Sequence, residues 1–154
     1  MTLPDEALRA LKVAHVLAAV LFLGNVIVTG VWSAILFQRR AVVDFRITAR
    51  VIVITDWIFT VGGAALLVSS GLAIAIGRGY PVWQTRWIRE AIMGLGIATV
   101  LWLVLLVPAQ RAMLRLTPAD DDELQRVYRR WNVVGWIAVG PILWSLWSMT
   151  WKPV

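Results

Sequence analysis

The chain lacks cysteine altogether and contains a single histidine, His15, among its 154 residues. The absence of cysteine excludes disulfides, thiolate metal sites, iron–sulfur clusters and covalently attached c-type haem. Because only one histidine is present, a haem held by two histidines of the same copy is also excluded. Any haem or imidazole-bound metal site in this chain must therefore be built around His15.

Charged residues are also scarce, at 16% of the sequence, whereas 60% of the residues are hydrophobic. This composition leaves too little polar surface to cover a soluble particle of this size, and it is typical of a membrane protein. Four stretches without Lys, Arg or Glu each reach the ~20 residues that cross a bilayer as a helix. They are residues 13–38, 51–77, 91–110 and 131–151.

Long continuous apolar runs predict helices, because lipid offers no hydrogen-bond partner to an open backbone. We therefore predict an all-α transmembrane four-helix bundle that forms one integral membrane domain over residues 1–154. Its spans are expected at residues 8–37, 51–77, 87–110 and 131–151.

Basic side chains set the expected orientation of the four spans. Nine arginines follow spans one and three, against six basic residues on the opposite side. By the positive-inside rule, this predicts a multi-pass protein of the bacterial inner membrane with both termini outside. The same topology and anionic lipid headgroups account for the net charge of +6, so we expect a lipid bilayer and no nucleic acid as partner. Aromatic residues at the span ends are expected to form interfacial belts: Tyr80, Trp83, Trp87, Trp131 and Trp151.

Two polar residues lie within the spans. Asn25 falls near the midplane of span one, where it is expected to hydrogen-bond another helix, with a ligand contact as the alternative. Asp56 in span two needs a cationic partner or a proton, and arginines at the same side predict an Asp56–Arg pair, with a proton relay as the alternative. Small residues in spans two and three predict close helix crossings, and they are Gly62, Gly63, Gly71, Gly77, Gly94 and Gly96.

A second group of candidate site residues lies in the outer leaflet. Arg89 and Met93 share one face of span three, at the side of the membrane where His15 begins span one. Imidazole ligates haem iron, a thioether supplies a trans ligand, and a guanidinium pairs with a propionate, so these residues suit a b-type haem. The plainer alternatives are a hydrogen-bonded interior histidine, a core methionine and an arginine that reaches lipid headgroups.

Four short motifs occur in order along nearly the whole chain. They are Leu11-Lys12-Val13-Ala14-His15, Gly24-Asn25, Tyr128-Arg129-Arg130-Trp131-Asn132 and Lys152-Pro153. In order and spacing they resemble a bacterial family of four-helix predicted integral membrane proteins without an established function. More distantly, the chain is similar to the membrane-embedded protoporphyrinogen oxidase and copper-resistance D families.

The more distant resemblance implies a haem ligand. In the oxidase family, a histidine at the position of His15 is implicated in binding b-type haem, together with a lysine near the start of span three. Arg89 is the nearest counterpart of that lysine and cannot ligate iron while protonated, and the family's further span-one histidine is missing.

Three functions follow as expectations. The first is a protein that binds haem b in its outer half for electron transfer or haem handling, which would allow a haem-dependent membrane oxidoreductase. The second is a proton-coupled or small-solute transport module, because His15, Asn25 and Asp56 lie at successive depths. The third is an accessory subunit or homodimer, whose partner would cover a stripe on span four formed by Trp136, Gly140, Trp144, Trp147 and Trp151.

Overall fold

A computed structural model describes residues 3–152, so that Pro153 of the closing motif lies outside the described residues. Over this range the chain is helical with short connections and contains no strand. The four long helices are α1 (Asp5–Gln38), α2 (Phe45–Gly77), α3 (Arg86–Met113) and α4 (Asp121–Trp151). Each is long and apolar enough to cross a membrane, which agrees with the predicted four-helix architecture.

All four helices begin before the predicted spans, and α2 and α4 do so by the widest margin. α2 begins at Phe45 because the side chain of Asp44 accepts a hydrogen bond from the backbone N–H of Arg46 and caps the first turn. α4 begins at Asp121 after a short 3₁₀ turn at Pro118–Asp120, with acidic residues in its first turn, where the helix dipole favours them. Both helices therefore extend past the predicted spans on the same side of the bundle.

The bundle has two distinct ends. At the linker end, residues 39–44 connect α1 to α2, and residues 114–117 lead from α3 to the 3₁₀ turn before α4. The termini end carries Asp5, the loop of residues 78–85, and Lys152. Helix α1 packs along α2, α3 packs along α4, α1 also contacts α4, and α2 meets α3 towards the linker end. The deepest part of the core lies towards the linker end, where Phe45, Ile52, Met113, Tyr128 and Trp131 are buried together.

Glycine allows close helix crossings at some of the predicted positions. A Cβ at Gly63 would lie 3.2 Å from the Cβ of Phe22 on α1, and one at Gly94 would lie 2.5 Å from the backbone oxygen of Pro141 on α4. By contrast, a Cβ at Gly96 would meet nothing within 4 Å in the described chain. The crossing prediction is therefore confirmed at Gly63, Gly71 and Gly94, and wrong at Gly62 and Gly96.

Large apolar side chains cover the outward faces of the helices, as a lipid environment requires. The aromatic stripe predicted on α4 is part of this surface, because Trp144, Trp147 and Trp151 are each exposed by 60% or more. Its coverage by a partner or a second copy stays a prediction.

Candidate functional site

Asp56 is the most deeply buried acid among the described residues, with 7% of its surface exposed. It accepts four hydrogen bonds, two on each carboxylate oxygen. Asn25 Nδ2 and Thr60 Oγ1 donate to Oδ1 over 3.1 and 3.0 Å. Trp102 Nε1 and Gln110 Nε2 donate to Oδ2 over 3.2 and 2.6 Å. A carboxylate offers about four acceptor positions, so all of them are occupied here.

The predicted Asp56–Arg pair is wrong. All four partners of Asp56 are neutral groups, and none of the ion pairs within residues 3–152 includes it. The candidate arginines Arg111, Arg115 and Arg130 are exposed towards the linker end. Their guanidinium groups stay hydrated there, and amide, hydroxyl and indole groups inside the bundle donate to Asp56 instead.

Asn25 connects this carboxylate to α1. Its Nδ2 donates to Asp56 and also to Thr60 Oγ1 over 3.0 Å, while its Oδ1 accepts from Thr29 Oγ1 over 3.3 Å. The predicted hydrogen bond from Asn25 to another helix is thus confirmed. The donors on α1 lead towards the carboxylate, from Thr29 to Asn25 and from Asn25 to Asp56.

Both helices that hold the carboxylate are π-helical at this depth. The segment Asp56–Val61 of α2 and the segment Trp102–Leu106 of α3 are π-helical turns, and Asp56 and Trp102 are their first residues. Such wider turns change the register of the side chains that follow and occur often at functional sites. Here they coincide with the bond between the Trp102 indole and Asp56.

A small cavity lies beside Asp56 where all four helices meet. Its volume is about 50 Å³, and α1, α2, α3 and α4 all contribute to its wall. The wall residues include Thr29, Asp56, Trp102, Trp131 and Asn132. A single buried water needs ~10–15 Å³ of such space, so the cavity has room for a few waters and is far too small for a haem.

Trp131 does not lie in the predicted interfacial belt. It is 6% exposed, it lines the cavity, and its indole Nε1 is buried without a hydrogen-bond partner in residues 3–152. The belt prediction is wrong because α4 begins ten residues earlier, at Asp121. Trp131 therefore lies about 15 Å along the helix instead of at its first turn.

His15 lies at the interface of α1 and α2, nearer the termini end. Its Nδ1 is within 2.9 Å of the Leu67 carbonyl oxygen and 3.2 Å of Ser70 Oγ. A carbonyl only accepts, so Nδ1 carries a proton in this contact. The ring packs against α2 where a Cβ at Gly71 would come within 2.9 Å of Cε1.

Arg89 and Met93 lie on the surface of α3. The Met93 side chain is 57% exposed. Arg89 is also exposed, and its Nη1 donates to the Trp83 carbonyl over 3.3 Å. The two polar contacts of His15, in turn, are both with α2. No hydrogen bond in the described chain links these three candidate residues.

An apolar layer separates His15 from the Asp56 cluster. It consists of Phe22, Ala98 and Ile142, with Leu23, Val26, Ala64 and Leu95 packed against it. Within residues 3–152, His15 shares no hydrogen bond with Asn25 or Asp56. Of the three residues expected at successive depths, the structure joins only Asn25 and Asp56.

Sequence reasoning missed three members of this site: Trp102, Gln110 and Trp131. Gln110 carried the clearest signal, since its side chain is the only amide in the apolar run of residues 91–110. A lone amide within a span needs a polar partner, and Asp56 was the nearest acid in the other spans.

Comparison with known proteins gives the chain a family. No curated protein and no solved structure matches the chain significantly. A family model described as "Predicted integral membrane protein (DUF2269)" matches residues 9–153. This range includes all four helices almost completely, together with the Asp56 cluster and His15. The chain therefore belongs to this family of predicted integral membrane proteins.

Proposed function

We propose that this protein is a proton-coupled membrane transport module in which Asp56 gains and loses the proton. The observation that carries the proposal is a carboxylate inside the bundle, joined only to neutral donors and adjacent to a cavity of water size. An acid in a membrane span is costly to keep, so it marks a functional site by default.

The hydrogen bonds of Asp56 couple its protonation to the conformation of the bundle. All four positions around the carboxylate are occupied by donors, so an added proton has no acceptor until one partner turns away. Of these partners, the hydroxyl of Thr60 can reverse its role in place, whereas the amides of Asn25 and Gln110 must turn over to accept, and the indole N–H of Trp102 only donates. Unless Thr60 accepts the added proton, protonation loosens a contact that ties α2 to α1 or α3.

The π-helical turns provide a place for such a rearrangement. Asp56 and Trp102 each begin one, and the Trp102–Asp56 bond joins the two turns. In a π-turn each backbone hydrogen bond spans one residue more than in an α-helix. A return to the α-helical pattern would therefore shift the side chains that follow. Gain of a proton at Asp56 would bias the helices between these arrangements.

The test is proton flux into sealed vesicles that contain the purified protein and a trapped pH-sensitive dye. A potassium potential drives the flux. Wild-type protein is expected to acidify the interior faster than protein-free vesicles, and Asp56→Asn, which keeps the shape but cannot exchange the proton, is expected to lose that increment. Thr99→Val is the control, since Thr99 is exposed and bonds only to the carbonyl of Leu95. Equal flux in wild type and Asp56→Asn would contradict the proposal.

A second candidate function is haem binding at His15 for electron transfer. The observation that favours it is the bond from Nδ1–H to the Leu67 carbonyl, because a ligating histidine usually donates its other N–H to a backbone carbonyl or carboxylate. Haem at this position would supply the redox chemistry, and His15 Nε2 would be the single ligand from this chain. The exposed Met93 and Arg89 do not extend such a site in one copy.

The visible spectrum of the purified protein tests this candidate, recorded oxidised and dithionite-reduced beside His15→Ala. A Soret band that the variant loses would support His15 as the ligand. A featureless spectrum after addition of haem would remove this candidate and leave the Asp56 proposal untouched.

A further inference from the structure

One residue in the wall of the cavity beside Asp56 has a hydrogen-bond donor without an acceptor. The indole N–H of Trp131 is buried with no partner in the described chain, and Trp131 forms part of the cavity wall. A buried donor without a partner costs about 1–3 kcal/mol, and ordered water is the usual remedy where the adjacent space holds one and offers further polar partners. Most of this cavity's wall is apolar. The wall also includes Thr29, Thr60 and Asn132, which give a water further partners.

A second space approaches this cavity from the linker end. It is an open groove of about 520 Å³ between the end of α1 and the first turns of α4. Its wall includes Gln125, Arg126, Tyr128, Arg129 and Asn132. These side chains are largely polar, as expected of a surface that faces solvent or lipid headgroups.

Asn132 lies where the two spaces meet. Its residue borders both the groove and the Asp56 cavity. Its Nδ2 donates to Tyr128 Oη over a long 3.4 Å, and Tyr128 Oη lies 3.2 Å from Ser33 Oγ. The two walls therefore meet at one amide side chain, which is held by a long hydrogen bond.

The opposite direction is closed by apolar side chains. The apolar layer of Phe22, Ala98 and Ile142 lies between the Asp56 cluster and the termini end, and Val26 joins this layer to the cavity wall. A proton or a water that crosses this layer finds no hydrogen-bonding side chain in it. The access of water to Asp56 is thus asymmetric.

We infer that the cavity is a buried water site that exchanges with the linker side past Asn132 and is closed to the termini side. The ligand is water, held by the Trp131 N–H, and the species delivered to Asp56 is the proton that water carries. The proton part of this inference rests on the proposed function of Asp56. Larger solutes do not fit in about 50 Å³.

The absence of cysteine makes the test direct, because every introduced thiol is unique. Gly135 borders the cavity, Gly140 lies on the exposed face of the same helix, and a Cβ at either would meet nothing within 4 Å. Gly135→Cys is therefore the probe and Gly140→Cys the matched control. Val42→Cys in the first linker and Gln84→Cys in the loop of residues 78–85 mark the two sides of the membrane.

The reagent is Ag⁺, which is of water size, crosses lipid poorly and binds thiolates in aqueous surroundings. It is added to one side of sealed vesicles in chloride-free buffer, and the thiols that remain are then labelled with a maleimide in denaturing detergent. Gly135→Cys is expected to be blocked by Ag⁺ only from the side that blocks Val42→Cys. Gly140→Cys is expected to react from neither side, and Asn132→Ala is expected to speed the reaction of Gly135→Cys.

Two results would overturn the inference. One is reaction of Gly135→Cys from the side that blocks Gln84→Cys, and the other is no reaction from either side. The same labelling in an Asp56→Asn background separates the two proposals. One-sided reaction without proton flux keeps the water site and rejects proton coupling, whereas proton flux without reaction at Gly135→Cys rejects the water route alone.

Discussion

Gln110 Nε2 donates to Asp56 Oδ2 over 2.6 Å, and this bond joins α3 to α2 inside the bundle. Gln110 is 3% exposed and Asp56 7%, so neither group can exchange the other for solvent. A bond to an ionised acceptor is stronger than one between neutral groups. The pair is thus a structural connection between two spans, made inside the bundle.

Removal of the Gln110 amide is expected to destabilise the bundle. Gln110→Leu leaves one oxygen of Asp56 short of a donor, which costs about 1–3 kcal/mol in the free energy of unfolding. The measurement is a denaturant titration in detergent micelles, followed by helix content. In an Asp56→Asn background the same substitution should cost much less, because no charge is left unsatisfied. Equal costs in the two backgrounds would show that Gln110 does not act through Asp56.

Thr60 is expected to matter for flux through its hydroxyl and less through its shape. Thr60→Val removes the only hydroxyl among the partners of Asp56, so proton flux should fall about tenfold, the effect of ~1.4 kcal/mol on a barrier. Thr60→Ser keeps the hydroxyl and should retain most of the flux. The vesicle dye assay compares the two. Similar rates for the valine and serine variants would exclude a role of this hydroxyl in proton transfer.

His15 is expected to be independent of the proton flux. An apolar layer separates it from Asn25 and Asp56, and its own bonds are to Leu67 and Ser70. His15→Ala should therefore leave vesicle flux within about twofold of wild type, less than the ~1.4 kcal/mol that a tenfold change requires. A strong loss of flux in a folded His15→Ala protein would restore the continuous path through all three polar residues.

Two glycines on α3 give a matched test of the helix crossing with α4. Gly94→Ala would bring a methyl group within 2.5 Å of the Pro141 carbonyl oxygen, and overpacking of this kind costs about 1–3 kcal/mol. Gly96→Ala meets nothing within 4 Å in the described chain and should stabilise the helix by about 0.5–1 kcal/mol. Thermal unfolding in micelles checks both signs, and a loss of similar size for the two variants would refute the crossing.

The fold could be predicted from the sequence because the bilayer imposes one strong rule on every span. Four apolar runs of sufficient length predicted four helices, and the midplane position of Asn25 predicted its bond to another helix. The helix starts at Phe45 and Asp121 were missed because capping and packing extend a helix beyond its apolar run.

The partners of Asp56 could not be predicted in the same way. Charge alone favoured an arginine, whereas the actual donors on α3, Trp102 and Gln110, lie 46 and 54 residues away in the chain. Which neutral group reaches the carboxylate depends on the rotation of α3 about its axis and on the π-helical turn at Trp102. Neither property is visible in hydrophobic periodicity.

Infrared difference spectroscopy is the most direct test of the central claim that Asp56 takes up and releases a proton. Spectra of the protein in lipid are recorded across a pH titration and compared with those of Asp56→Asn. We expect a carboxylic acid C=O stretch that grows on acidification in wild type and is missing in the variant, with a shift of this band in Thr60→Val. Identical difference spectra for wild type and Asp56→Asn would mean that Asp56 never gains a proton, and proton coupling at this site would be rejected.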